Sequence, residues 1–203
     1  DGDDVMYPGK LQAQVDYLDN NKECVMVAHD LEEFDTYSNQ VLRIIKPKIQ
    51  KQHYDLRDII KHGSIFGNSS KMFRRSQIHE KIVNENIKVI ADYNFTINLL
   101  YDGFIGYINK NLGGHRIHSG GLMKLANSKD IHDDILLTFE SVNEVFGNKY
   151  KNDQKNLCSH ACLIYGAQEI RNENIKVGRR EIFQSIILNP FYIFYLKFCR
   201  FFY

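Results

Sequence analysis

The sequence predicts an α/β fold that is followed by a helical region. In the first part, short apolar stretches typical of strands alternate with segments of helical period. Three further stretches of helical period follow near residues 129–146, 154–172 and 178–203. We therefore expect two domains, residues 1–122 and residues 123–203. A chain of 203 residues is long enough for one large core or two small ones.

The first three predicted elements are a helix, a strand and a helix. In PGKLQAQVDYLDNN, Pro8 suits the first helical turn, and Leu11, Val15 and Leu18 recur at helical spacing. CVMVAHDLEEFD contains a short apolar run and predicts a strand. YDLRDIIKHG predicts a short helix that ends before Gly63.

The next predicted elements lead up to a glycine-rich segment. SIFGNSSKMFRR predicts a loop that runs into a strand. IKVIADYNFTINLLYDG is a short apolar stretch, then Asp92, then a helix that closes at Gly103. FIGYINKNLGGHRIHSGG predicts strand, turn, strand and a glycine loop.

The composition argues against several classes of protein. Hydrophobic residues make up 43% of the chain and charged residues 25%, which argues against disorder and against a multi-span membrane protein. The formal net charge is +1, so nothing indicates a nucleic-acid partner, and we expect none.

Four cysteines occur, at positions 24, 158, 162 and 199. They do not form the dense framework of a small secreted fold, so we expect a reducing, cytoplasmic compartment. CSHAC places Cys158 and Cys162 one helical turn apart, with His160 between them. A metal site would need more ligands at suitable spacing, so the favoured interpretation is buried helix cysteines.

The chain opens with DGDD, which places Asp1, Asp3 and Asp4 together. Like charges this close repel each other, and a divalent cation is the usual partner that offsets them. A D-x-D at a strand end can hold a hard divalent ion through oxygen, and that ion can grip a diphosphate. The alternative is a plain turn, in which Asp and Gly are common. The segment does not match the calcium loop of an EF-hand.

These acids and the segments after them resemble family 2 glycosyltransferases, which are nucleotide-sugar enzymes with the GT-A fold. DGDD with PGKLQAQVDYLDNN resembles their metal-binding signature and following helix, and MVAHDLEEFD resembles their next strand. IIKHGSIFGNSSKMFRR resembles the loop and strand that line the sugar and acceptor side. ADYNFTINLLYDGFIGYINKNLGGHRIHSGG resembles the segment with the catalytic Asp, the helix behind it and the closing loop. The resemblance covers about residues 1–122.

In this family the D-x-D lies roughly midway through the catalytic domain, after a strand–loop–helix half that holds the nucleotide base. No part of this sequence matches that half. The resemblance therefore implies a partial GT-A (Rossmann-like) domain that lacks its N-terminal nucleotide-binding half, followed by the helical region. It also implies an exposed sheet edge and uncovered apolar surface where that half would pack.

The resemblance also implies roles for individual residues. Asp3 would bind the metal ion, Mn²⁺ or Mg²⁺, and Asp1 would lean toward the ribose or a metal-bound water. Asp92 would be the general base that takes the proton of the acceptor hydroxyl. His118 would be a further ligand of the metal or the diphosphate, and Arg116 would hold the phosphates with its forked donors.

Ser69 and Ser70 would border the acceptor site. Structural alternatives remain open for all of these residues. Asp92 could cap the helix that follows it, His118 could be an ordinary loop histidine, and Arg116 could pair with a nearby carboxylate. The segment that contains the two serines could simply pack in the core as a strand.

The function implied is an inverting, metal-dependent transfer of a sugar from a nucleotide-sugar donor to a saccharide or lipid-linked acceptor, as in bacterial surface polysaccharide synthesis. The alternative is a non-catalytic remnant or interaction domain that keeps pieces of the fold. A phosphohydrolase that uses the same acids is a weaker third hypothesis, because no second cluster of metal ligands is evident in the sequence.

The C-terminal segment IFQSIILNPFYIFYLKFCRFFY is rich in aromatic residues, but Pro190 interrupts it and Lys197 and Arg200 charge it. A membrane span needs about 20 mostly apolar residues, so two shorter amphipathic helices that meet at Asn189-Pro190 fit better. Packing against the body of the protein is the favoured interpretation. The alternative is an interfacial anchor that places the protein peripherally at the inner face of the plasma membrane.

Overall fold

The structure is a computed structural model that describes residues 2–78, 84–118 and 126–191. It is a mixed α/β fold with a six-stranded, mostly antiparallel open sheet and, within those residues, six α-helices. The chain divides into two compact units, a sheet unit and a helical unit. The sheet unit comprises Asp1–Asn84 and Ala91–Leu125, and the helical unit comprises Glu85–Ile90 and Ala126–Tyr203.

The centre of the sheet is a pair of long parallel strands. In chain order the strands are β1 (Val5–Met6), β2 (Cys24–Asp35), β3 (Val41–Ile45), β4 (His53–Tyr54), β5 (Met72–Phe73) and β6 (Phe104–Ile117). The order along the sheet is β1-β6-β2-β3, with β4 paired to β6 and β5 paired to β2. β2 and β6 run parallel, whereas the other four pairings are antiparallel.

The core of the sheet unit follows the apolar run at the start of β2. Residues 24–31 are buried without interruption, as expected for a strand with neighbours on both edges and cover on both faces. Leu18 of the first helix packs with Cys24 and Val27 in one buried cluster. The prediction of a strand at CVMVAHDLEEFD is confirmed.

The described residues of the sheet unit form three α-helices, which are α1 (Lys10–Asn20), α2 (Leu56–His62) and α3 (Ala91–Leu99). α1 is preceded by Gly9 in the left-handed region, at φ 82°. A reciprocal capping box between Asp55 and Asp58 starts α2, and Gly63 at φ 77° ends it. The predicted helices in these three segments are confirmed, although α1 begins two residues after Pro8.

The prediction of strand, turn, strand in FIGYINKNLGGHRI is wrong. This segment is one continuous strand, β6, which pairs in parallel with β2 along its whole length. The register moves from His29↔Ile108 to Asp30↔Asn111, so residues 109–110 form a bulge and do not reverse the chain. A long parallel partner supplies hydrogen bonds on both sides of the bulge, which explains why the polar residues there do not end the strand.

The helical unit contains α4 (Ser128–Phe146), α5 (Lys151–Arg171) and α6 (Ile175–Leu188). The three predicted helical stretches are therefore present, and α6 ends just before Asn189-Pro190 as expected. α5 and α6 approach closely, because a Cβ added at Gly166 would lie 2.9 Å from the carbonyl oxygen of Gly178. Most of the predicted helix after Pro190 lies in residues 192–203, outside the described part of the chain.

Exposed apolar side chains occur at both ends of the sheet order. On β3, Val41, Leu42 and Ile44 are 51–53% exposed, and on β1 Val5 and Met6 are also exposed. Among the helices that the structure describes, none has the length and apolarity needed to cross a bilayer.

Candidate active site

A cavity of about 610 Å³ opens in the sheet unit, a size that suits a small-molecule ligand. It lies where the opening segment, α1, the segment around β5 and the start of α3 come together. Its polar lining includes two carboxylates and two lysines from distant parts of the sequence. The residues that line it are Asp4, Val5, Met6, Lys10, Met26, Asn68, Ser69, Lys71, Phe73, Ala91, Asp92 and Phe95.

Asp4 is a buried carboxylate whose two oxygens differ. Its side chain is 6% exposed. Oδ1 accepts the backbone N–H of Arg116 at 3.0 Å and lies 3.1 Å from Nδ1 of His115. Oδ2 is buried and makes no hydrogen bond of ordinary geometry within the described ranges, although the Ser69 hydroxyl lies close enough to act on the carboxylate. Burial alone would raise the pKa of Asp4, but the nearby Ser69 hydroxyl, the Arg116 N–H and His115 together lower it below its usual value.

The two serines occupy different environments. Ser69 lines the cavity, and its hydroxyl oxygen is buried and makes no hydrogen bond of ordinary geometry among the residues described. The Lys10 ammonium donates a hydrogen bond to the backbone oxygen of Ser69, at 2.5 Å. Ser70 is fully buried, and its hydroxyl donates to the carbonyl of Gly67 at 2.7 Å. Ser69 is therefore part of the cavity wall, whereas the Ser70 hydroxyl is used within the turn that begins at Gly67.

Asp92 lies in the first turn of α3, beside a buried lysine. The helix begins at Ala91, so Asp92 is inside it and is not a cap ahead of it. Asp92 Oδ2 is 3.8 Å from Nζ of Lys71, which also donates to Thr96 Oγ1 at 3.2 Å. The Lys71 side chain is only 6% exposed, whereas Asp92 is 39% exposed. Burial lowers the pKa of Lys71, and the Asp92 carboxylate partly offsets that effect.

A second set of polar side chains lies around Asp3, the neighbour of Asp4 in the sequence. His118 Nε2 is 2.9 Å from Asp3 Oδ2, and both side chains are partly exposed. Arg116 donates Nε–H to the backbone oxygen of Asp3 at 3.0 Å, and its guanidinium lies 4.6 Å from the centre of the Phe34 ring. The structure thus brings Asp3, Arg116 and His118 together, while Asp1 lies outside the described residues.

The Asp3–His118 pair fits a divalent ion by its spacing. Two neighbouring ligands of an octahedral ion, each bound at about 2.0–2.1 Å, lie about 3 Å apart. The observed separation of 2.9 Å matches that spacing. Carboxylate oxygen suits Mg²⁺ and Mn²⁺, and imidazole is accepted by the transition ions. The same contact is also an ordinary ion pair when His118 is protonated.

Sequence reasoning missed three groups of this cavity. Lys71 lies in a segment predicted as a loop that runs into a strand, Lys10 lies in a predicted helix, and Asp4 is only one of three neighbouring acids in the sequence. The burial of the Lys71 and Asp4 side chains depends on tertiary packing, so no local pattern could reveal it.

A further buried polar cluster lies in the helical unit. His132, Cys162 and Glu181 bring one ligand atom each to within 4.8 Å of one another. Burial, with Glu181, raises the pKa of the Cys162 thiol to about 11. The interpretation of Cys158 and Cys162 as buried helix cysteines is confirmed, but the cluster around Cys162 was not foreseen because its three members are widely separated in sequence.

Comparison of the chain with protein-family models and with curated proteins gives no match. The chemistry of the cavity therefore has to be inferred from its own residues. A carboxylate that is partly exposed beside a buried ammonium can accept a proton from a bound hydroxyl. The acids at the opening segment, with His118, can hold a cation.

Proposed function

We propose that this chain is part of an inverting, metal-dependent transferase that moves a sugar from a nucleotide-sugar donor to a hydroxyl of a saccharide or lipid-linked acceptor. The observation that carries the proposal is that Asp4 and Asp92, far apart in sequence, line one cavity. This is the arrangement expected if a cation-binding segment and a general base act on one substrate pair. The resemblance of residues 1–122 to family 2 glycosyltransferases agrees with it.

Asp92 is the group that would receive the proton. Its partial exposure lets an acceptor hydroxyl approach the carboxylate within hydrogen-bond distance. The hydroxyl oxygen attacks the anomeric carbon while its proton passes to Asp92, and the bond to the diphosphate breaks on the opposite face. Displacement from the opposite face inverts the anomeric centre. Lys71, fixed by Thr96, limits the positions that the Asp92 carboxylate can take.

Asp3 and His118 would hold the Mn²⁺ or Mg²⁺ ion. When bound, the ion supplies positive charge that stabilises the departing nucleoside diphosphate. Ser69 and Asp4 both line the cavity, and the Ser69 hydroxyl is close enough to the Asp4 carboxyl to lower its pKa. A bound diphosphate or acceptor would lie beside this pair of polar side chains.

The test is a transfer assay on the full-length protein of which this chain is proposed to be a part, with a panel of nucleotide sugars, Mn²⁺ and hydroxyl acceptors. Removal of a general base lowers the rate by about 100-fold to 10,000-fold, so Asp92→Asn should reduce transfer by at least about 100-fold. Asp102→Asn is the matched control, because Asp102 is an exposed acid just after the same helix. Asp3→Ala should abolish transfer, because it removes a ligand of the ion that the reaction would require. Transfer by Asp92→Asn at the parental rate would refute the assignment.

A non-catalytic interaction domain is the second candidate. The exposed apolar side chains of β3 and β1 favour it, since apolar sheet edges commonly mark contact surfaces. The two candidates differ in ligand binding. A transferase binds a nucleoside diphosphate in an Mn²⁺-dependent manner that Asp3→Ala removes, whereas an interaction domain shows no such binding.

A further inference from the structure

Three buried side chains that can ligate metals converge in the helical unit, one from each of its helices. His132 lies on α4, Cys162 on α5 and Glu181 on α6, and their exposures are 7%, 2% and 8%. His132 Nε2 is 3.7 Å from Cys162 Sγ and 3.6 Å from Glu181 Oε2. The cluster is separate from the cavity of the sheet unit and has no part in the proposed transfer.

The nitrogen–oxygen separation of 3.6 Å is too long for a hydrogen bond, whereas the nitrogen–sulfur separation is within reach of a hydrogen bond to sulfur. Both separations suit ligands of one ion. In a tetrahedral zinc site, with Zn–S about 2.3 Å, Zn–N about 2.0 Å and Zn–O about 2.1 Å, sulfur and nitrogen lie about 3.5 Å apart and nitrogen and oxygen about 3.4 Å apart. The observed distances exceed these by only a few tenths of an ångström.

The groups around the three side chains orient them as in a metal site. Nδ1 of His132 lies 2.9 Å from Oδ1 of Asp133, an acceptor that favours the tautomer with its hydrogen on Nδ1, and Nε2 is the ring nitrogen on the side of Cys162 and Glu181. A carboxylate on the outer nitrogen is the usual companion of a metal-bound histidine. Arg180 donates two hydrogen bonds to Oε1 of Glu181, at 3.0 and 2.7 Å, and this leaves Oε2 toward the histidine.

We propose that His132, Cys162 and Glu181 bind one Zn²⁺ ion that ties α4, α5 and α6 together. The donor set of nitrogen, sulfur and oxygen favours a borderline-soft ion over Mg²⁺ or Ca²⁺. A thiolate and a carboxylate together balance the two positive charges, so the occupied site is neutral inside the unit. Zinc prefers four ligands, and a water molecule completes the set beside the three protein atoms.

Metal binding would release the proton of the Cys162 thiol, because zinc binds the thiolate. The ion would also stabilise the helical unit, since the three ligands come together only when the helices are folded. Zinc therefore has a structural role in the helical unit, and its site is distinct from that of the Mn²⁺ or Mg²⁺ ion of the proposed transfer.

The experiment uses Co²⁺ as a spectroscopic substitute for zinc on the full chain. The parent should bind one equivalent of Co²⁺ at a site that gives a sulfur-to-cobalt charge-transfer band, whatever ion Asp3 and His118 also hold, and added Zn²⁺ should remove the band and raise the Tm. Cys162→Ser should lose the band. Cys158→Ser is the matched control, because Cys158 is a buried cysteine one turn earlier on α5. Asp3→Ala should also keep the band, which separates this site from the candidate active site.

Several results would overturn the proposal. The first result needs only the parent protein. If the folded parent shows no charge-transfer band and no zinc-dependent rise in Tm, it does not contain the proposed zinc site. Persistence of the band in Cys162→Ser, or its loss in Cys158→Ser, would assign the thiolate elsewhere. Glu181→Gln tests the oxygen ligand without removing the thiol and should weaken Co²⁺ binding. Asp133→Asn should weaken binding by about 10-fold to 100-fold while the band persists.

Discussion

Asp134 links residues 88–90 to α4 within the helical unit through hydrogen bonds. It is a buried residue of α4. Its carboxylate accepts the backbone N–H groups of three successive residues, Lys88 at 3.1 Å, Val89 at 2.6 Å and Ile90 at 3.1 Å. We expect Asp134→Ala to release this segment and to destabilise the helical unit.

The size of the effect follows from the number and exposure of these donors. A hydrogen bond to a charged group contributes about 1.5–3 kcal/mol. Lys88 is exposed and the other two residues are half-buried, so water can replace part of the lost bonding. We therefore take about 1 kcal/mol for each donor, which gives about 3 kcal/mol in all. That corresponds to a fall in Tm on the order of 10 °C.

Urea unfolding and amide hydrogen exchange measure the two parts of this prediction. Asp134→Asn keeps one acceptor oxygen and should lose about half as much free energy of unfolding as Asp134→Ala. Glu144→Ala, an exposed acid on the same helix, is the control and should stay within about 0.5 kcal/mol of the parent. A loss below about 1 kcal/mol in Asp134→Ala, or unchanged exchange of the three amides, would refute the reasoning.

Two further predictions concern a buried lysine and a helix contact. Lys71→Met should raise the free energy of unfolding at neutral pH, because burial lowers the pKa of Lys71 and the unfolded chain therefore binds that proton more tightly. The gain in the free energy of unfolding over the parent should shrink as pH rises from the lowered pKa of Lys71 toward 10.5, because the parent itself becomes more stable over that range. Urea unfolding across that range tests it, and a variant less stable than the parent at neutral pH would contradict it. Gly166→Ala should destabilise by about 1–3 kcal/mol, since its Cβ would press on the backbone of Gly178. It should also weaken Co²⁺ binding one turn away at Cys162, and an unchanged Tm would argue against a tight contact there.

The elements with strong local signals were predictable from the sequence. The apolar run of β2, the spacing in α1 and the glycine after α2 are each visible in a single short segment. β6 was mispredicted because its bulge at residues 109–110 looks like a turn in isolation. Only the parallel ladder to β2 keeps that strand continuous, and such a partner cannot be identified from the segment itself.

The candidate site was predictable in part. The opening acids stand out in the sequence, and Asp92 and His118 follow from the resemblance to family 2 glycosyltransferases. The structure places Asp3 beside His118, and it places Asp92 on the cavity that Asp4 lines. Lys71 is absent from that choice because a lysine in a strand is normally solvated, and only three-dimensional packing buries it. The cluster of His132, Cys162 and Glu181 could not be predicted from the sequence for a related reason, since its members come from three separate helices.

The two units treat their buried polar groups in opposite ways. In the helical unit, the Ser159 hydroxyl lies 2.9 Å from that of Ser185 and 3.0 Å from its carbonyl, so both serines are satisfied internally. Around the cavity, by contrast, a charge is buried: the Lys71 ammonium is enclosed beside Thr96 and Asp92, and its pKa is lowered by burial. Burial of a charged group costs free energy even when the group is paired. A cavity lined by such a lysine and by the Asp4 and Asp92 carboxylates is therefore better explained as a place for a polar ligand than as imperfect packing.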